Sequence, residues 1–210
     1  MHRSALLVVD VQNDFCPGGA LAVNNGDLVI EPLNKMIVFA DKDNWLLFFS
    51  RDRHPHTTKH FKEFGGIWPM HCVRTTWGAR FHPNLIVPTH SSSYIVSKGE
   101  STEDDGYSPF EGHYYYPYDN HERTTAYEQI PFNTVLTNLK VTDLYVGGLA
   151  TDYCVKAACL DARRLGYTVY LLTDACKAVN LKPMDERDAL IDMKHAGVIF
   201  TTTDEVLAQS

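Results

Sequence analysis

The chain has 210 residues, 44% of them hydrophobic and 21% charged, which suits one ordinary domain, residues 1–210, with a substantial core. Lys and Arg total 19 against 26 Asp and Glu, a formal net charge of -7, and the longest basic run is Arg163-Arg164. The electrostatic footprint of a nucleic-acid or anionic-membrane binder is therefore missing, and small-molecule chemistry becomes the leading class. The longest apolar runs, Ala5 to Val9 and Trp45 to Phe49, fall far short of a membrane span of about 20 residues, and no presequence pattern opens the chain, so a soluble cytoplasmic protein is expected. Five cysteines (Cys16, Cys72, Cys154, Cys159 and Cys176) with no CxxC fit reduced thiols or a nucleophile better than a disulfide framework.

In chain order, Ala5 to Val9 is a continuous apolar run ending in Asp10, too short for a helix and without polar alternation, which predicts a strand buried on both faces of a parallel sheet. Trp45 to Ser50, Tyr94 to Ser97, Leu144 to Gly147, Thr168 to Thr173 and Val198 to Thr201 repeat that grammar. Leu28 to Ala40, Asp152 to Leu165 and Pro183 to Ala196 space apolar residues three and four apart, and Gly166 and Gly197 close the last two as left-handed caps. Alternating elements predict an α/β fold, three layers α/β/α around a mostly parallel six-stranded sheet. Residues 100–133, rich in Tyr, His, Asp, Glu and Pro and without periodicity, read as a surface excursion serving as a lid or as a contact in a homo-oligomer.

Ligands of such sheets sit beyond the carboxyl ends of the strands, which directs attention to Asp10, Asp52, Lys98, Thr151 to Cys154 and Asp174. Cys154 falls in the first turn of a helix after a Gly-containing turn, where free N–H groups favour a lowered thiol pKa and can face an oxyanion. The plainer reading, a small core cysteine, weighs about equally from local sequence, and it is the reading for Cys159. Asp10 and Lys98 at buried strand ends each need a partner of opposite charge. Asp52-Arg-His54-Pro-His56-Thr-Thr-Lys-His60 and Trp68-Pro-Met-His71-Cys72 offer carboxylate, imidazole and thiol ligands suited to a borderline divalent ion. Spacing alone does not choose among His54, His56, His60, His71 and Cys72. His90, His113, His121 and His195 read as ordinary surface histidines.

Asp10-Val-Gln-Asn-Asp-Phe15, Asp52-x-His54-Pro, Trp68-Pro-Met-His71-Cys72, Lys98-Gly99 with Asp105-Gly-Tyr-Ser-Pro-Phe110, and Gly148-Leu-Ala-Thr-Asp-Tyr-Cys154-Val together resemble the nicotinamidases of the isochorismatase-like cysteine hydrolases, in the right order over nearly the whole chain. The resemblance implies that family's hydrolase fold and a catalytic triad of Asp10, Lys98 and Cys154. It implies metal ligands Asp52, His54 and His71, ring-packing aromatics Phe15, Trp68 and Tyr107, and oxyanion N–H groups of Ala150 and Cys154, with a cis peptide before Ala150. It further implies hydrolysis of nicotinamide, with pyrazinamide as a second substrate, through a thioester in NAD salvage, and one divalent ion, Zn2+ with Fe2+ or Mn2+ as alternatives. Two departures stand out: Arg53 where the family has Trp, and Thr58-Lys59-His60 where it has His-x-Ser, so His60 is read as outside the ligand set. The competing readings are another small-amide hydrolase of the superfamily, and a noncatalytic zinc or redox-thiol protein in which His71 and Cys72 hold metal.

Overall fold

An apolar run with no polar alternation needs cover on both sides, and Ala5 to Val9 are fully buried in β1 (Ser4–Val9) at the heart of one sheet. The computed structural model describes residues 2–90, 92–116 and 128–208. Its other strands are β2 (Leu46–Asp52), β3 (Ser93–Lys98), β4 (His113–Tyr116), β5 (Glu128–Pro131), β6 (Asp143–Leu149), β7 (Thr168–Lys177) and β8 (Ile199–Thr201). They lie in the order β5-β4-β3-β2-β1-β6-β7-β8. The six expected strands are all present, and every pairing among them is parallel.

The sheet has eight strands rather than six. The excursion itself supplies β4 and β5, which extend the sheet antiparallel from β3. β4 and β5 close that end of the sheet with half-buried or exposed side chains, so a Tyr- and His-rich segment such as His113–Tyr116 carries no apolar run that would mark it. The remainder of the Tyr-rich stretch, with His121, lies outside the described residues.

Strand alternation sends Leu6, Val8, Leu47 and Phe49 to one face and Leu7, Val9, Phe48 and Val146 to the other. On the first face Leu33, Met36 and Ile37 of α1 (Ile30–Lys42) and Val206 of α5 (Thr203–Leu207) complete the core. The second is closed by Phe132 and Leu136 of α2 (Phe132–Asn138), Ala158 and Cys159 of α3 (Lys156–Arg164), and Met193 of α4 (Asp185–His195). The three expected helices correspond to α1, α3 and α4, and Gly166 and Gly197 sit just past the last two with φ of 94° and 82°. α2 and α5 went unpredicted, although the capping box of α5, Thr202 with Glu205, is readable as a T-x-x-E start signal. Asp174 belongs inside β7, where its carboxylate accepts the backbone N–H of Thr203 at 2.9 Å, so it anchors α5 rather than joining a catalytic edge.

Phe48 is fully buried, stacked on Tyr94 at 5.0 Å and edge-on to Phe132 at 5.3 Å. Phe48→Ala is expected to cost about 3–5 kcal/mol, seen as a lower urea midpoint with an unchanged slope.

Candidate active site

Parallel pairing brings the ends of β1, β2 and β3 side by side, with Val9 opposite Ser50 and Asp52 opposite Lys98. Asp10, the residue after β1, turns with φ of 49°, its Oδ1 accepting the Ser50 hydroxyl at 2.7 Å. The Lys98 side chain is fully buried, and four groups meet at its Nζ. Asp10 Oδ2 lies 2.7 Å away, the Gly106 carbonyl accepts at 2.6 Å, Cys154 Sγ lies at 3.4 Å, and Asp52 Oδ1 completes the set.

Burial works against the charge on each of these groups, and their mutual attraction decides the outcome. Burial pulls Lys98 down, but Asp10 and Asp52 more than reverse it, so its pKa ends well above the usual lysine value and the ammonium persists. Asp52 is likewise pushed up by burial and then held well below the usual carboxylate range, chiefly by the Lys98 ammonium. Asp10 goes the other way, raised to about 6 because burial and Asp52 together outweigh Lys98. Burial also pushes the Cys154 thiol well above its ordinary value despite Lys98 beside it. The expected lowered pKa is thus corrected: desolvation, joined by the Asp10 and Asp52 carboxylates, outweighs the ammonium and favours the protonated thiol.

Cys154 lies in a π-helical turn, Thr151–Val155, that leads into α3. The turn is capped by Ala150, whose carbonyl accepts from Tyr153 and Val155 N–H, each at 3.1 Å. The Leu149–Ala150 peptide is cis.

Next to the triad, His54, His60 and His71 are buried and each offers a ligand atom within 4.8 Å of the others. Their Nδ1 atoms face Gly99 O at 3.0 Å, Asp105 Oδ1 at 3.1 Å and Pro69 O at 2.7 Å respectively. These partners only accept, so each Nδ1 carries the proton and each Nε2 presents a lone pair. His54 Nε2 is buried with no hydrogen-bond partner, and Asp52 Oδ2, 3.6 Å from it and 3.9 Å from His71 Nε2, is an ionised acceptor with no proton to donate to either. Burial lowers His71 to about 4 and His60 in the same direction, which keeps both imidazoles neutral, the form that binds a metal. An orphaned lone pair among neutral imidazoles beside an ionised carboxylate fits a divalent cation.

His60 therefore belongs with the cluster, contrary to the reading that set it apart. His56 is exposed, and Cys72 turns its Sγ toward Gly78 O at 3.9 Å. Among the described residues no group of convergent ligand atoms includes Cys72.

Asp52, His60 and His71 share a single cleft with Cys154, and Phe15, Trp68, Tyr107 and Ala150 line it. Trp68 Nε1–H donates to the Tyr107 hydroxyl at 2.8 Å, and Phe15 lies 5.4 Å from the His71 ring. Further wall residues, Leu21, Tyr153 and Val179 among them, escaped the sequence reading. Tyr153 packs edge-on against Trp68 at 4.8 Å, and Val179 is set at the rim because Asp152 accepts its backbone N–H at 2.9 Å. Tyr153 was in view as the neighbour of Cys154; Val179 had no signal at all.

A buried Cys–Asp–Lys assembly at the carboxyl edge of a parallel sheet defines a cysteine hydrolase, and residues 4–205 match the model of the isochorismatase domain. The chain belongs to that family. Within it the chain falls among the nicotinamidases: the *Escherichia coli* nicotinamidase is 36% identical over 97% of both chains. Two solved structures are similar over most of their lengths. Pyrazinamidase of *Pyrococcus horikoshii* in complex with zinc is 38% identical with a TM-score of 0.80, covering 95% of this chain and 99% of that one. An *L. infantum* protein in complex with nicotinate is 28% identical with a TM-score of 0.79, covering 96% and 93%.

Because Lys98 is the counter-charge of two buried carboxylates, Lys98→Met is expected to damage folding as well as turnover, by about 3–5 kcal/mol. Adding Asp10→Asn, which removes one stranded charge, should restore part of that loss in urea unfolding.

Proposed function

We propose that this protein hydrolyses nicotinamide to nicotinate and ammonia through a thioester on Cys154. The observation that carries the reading is the single cleft in which Cys154, two imidazoles of the cluster (His60 and His71) and an aromatic wall all meet. Asp52, His54, His60 and His71 would hold one divalent ion, zinc by donor type, with iron(II) and manganese(II) as the alternatives a metal analysis would reveal. When bound, the ion offers a coordination position for the pyridine nitrogen, which fixes the ring.

The chain's own residues carry the chemistry. Phe15, Trp68, Tyr107 and Tyr153 hold the ring and exclude water. With its thiol neutral at rest, Cys154 needs a base, and Asp10 takes the proton as Sγ bonds to the carboxamide carbon. Backbone N–H groups of Ala150 and Cys154 receive the oxyanion, Asp10 passes the proton to the amide nitrogen, and the C–N bond breaks to release ammonia. Water then attacks the thioester and gives Asp10 a proton, which returns to sulfur as the C–S bond breaks. Lys98 stays charged throughout and fixes Asp10 against the thiol. Pyrazinamide, with the same carboxamide on an azine ring, is the second substrate. We place this reaction in the cytoplasm, in NAD salvage, and read residues 1–210 as one catalytic unit. In keeping with that, no helix among the described residues is long and apolar enough to cross a membrane.

Purified protein is expected to release ammonia from nicotinamide, and acid quenching during turnover should trap the nicotinoyl mass on Cys154. Cys154→Ala should lose activity by several orders of magnitude with its metal retained; near-normal turnover in that variant would refute the thioester route. His71→Ala is expected to lower kcat/KM while leaving Cys154 open to alkylation, because it disturbs ring placement and spares the triad.

A further inference from the structure

The three histidines of the cluster are not held alike. His54 and His71 give their Nδ1 protons to the neutral carbonyls of Gly99 and Pro69, whereas His60 gives its proton to a carboxylate, Asp105 Oδ1. Asp105 stands in a stretch tied to the segment that carries His60. The Lys59 N–H donates to Thr102 O at 2.9 Å, the Thr58 hydroxyl donates to the same oxygen at 3.4 Å, and the Lys59 ammonium pairs with Glu103.

Two glycines let this stretch lie on the cluster. A Cβ at Gly99 would come within 2.4 Å of His54 Cε1, and one at Gly106 within 2.5 Å of Gly99 Cα. From residue 105 onward three consecutive residues reach three parts of the site. Asp105 meets His60, the Gly106 carbonyl meets Lys98, and the Tyr107 hydroxyl meets Trp68. The Asp105 side chain is itself 67% exposed, so it contributes nothing to the core.

We propose that Asp105 is a positioning residue for His60: it fixes the tautomer that presents Nε2 and, as the anionic acceptor in the set, makes His60 the strongest donor imidazole toward the ion. The proposal rests on the metal-binding reading of the cluster. A carboxylate behind a metal-bound imidazole sets ring orientation and raises ligand basicity, and losing such a partner typically weakens metal binding about 10- to 100-fold. Asparagine in its place still accepts the Nδ1 proton through its oxygen but without the charge.

The test compares wild type, D105A, D105N, H60A and the D105A/H60A double variant, each stripped of metal and titrated with zinc against a chromophoric chelator. Cobalt(II) absorption of the same samples reports the ligand field. D105A is expected to bind zinc about 10- to 100-fold more weakly with a changed cobalt spectrum, D105N to fall between it and wild type, and the double variant to match H60A. Zinc affinity of D105A within about twofold of wild type, or an equal further loss when D105A is added to H60A, would overturn the role of Asp105 while leaving the metal site standing. If wild type took up neither zinc nor cobalt, the metal reading and this assignment would fall together.

Discussion

A single buried ammonium, Lys98 Nζ, holds two carboxylates, Asp10 and Asp52, that would otherwise be stranded side by side out of water. Two like charges so close cannot both stay ionised without a cation between them, and the result is unequal sharing. Asp52 stays fully ionised while Asp10 rises to about 6. The asymmetry suits the two carboxylates to different work. A permanently charged carboxylate can face a metal, and one poised near neutrality can take and return a proton.

Everything about the fold that matters to function serves to place these charges. β1, β2 and β3 pair in parallel and deliver Asp10, Asp52 and Lys98 to one edge, while β6, on the other side of β1, ends in the turn that presents Cys154. Each of those four strands is flanked on both sides, so their ends are fixed by ladders rather than by loop contacts. That rigidity keeps an ammonium, two carboxylates and a thiol within one hydrogen-bonding group where water would otherwise separate them.

How much of this was legible in the sequence depended on whether burial left a mark. The six parallel strands announced themselves as apolar runs, and α1, α3 and α4 by spacing, the last two also by Gly166 and Gly197, because a doubly covered sheet constrains composition strongly. β4 and β5 were silent because their side chains are only half-buried or exposed and leave no apolar run. The meeting of Asp10 and Lys98 was readable from charges placed at strand ends. His60 was not, because its assignment depends on a fold-back of six residues after His54 that spacing does not encode, and the match to family motifs fails in that very stretch. Asp174 misled in the opposite way: the strand ran on past it to Lys177, so a residue counted as following the strand lay within it.

The state of the thiol also separates the catalytic reading from the redox one. Oxidant sensing needs a thiolate that solvent can reach, whereas all five cysteines are buried and unpaired, and burial raises the thiol pKa of each of them. What distinguishes Cys154 is its company. Cys159 sits in the apolar core, Cys176 meets the Gly148 backbone and Cys72 faces a carbonyl, but Cys154 has both an ammonium and a carboxylate within reach and opens on a cleft. A protonated thiol beside a base that titrates near neutrality becomes nucleophilic only as it transfers its proton, at the moment a carbonyl carbon arrives. Such a group is quiet toward oxidants in the empty cleft and active toward a bound amide, which is the behaviour a hydrolase requires and a sensor would lack.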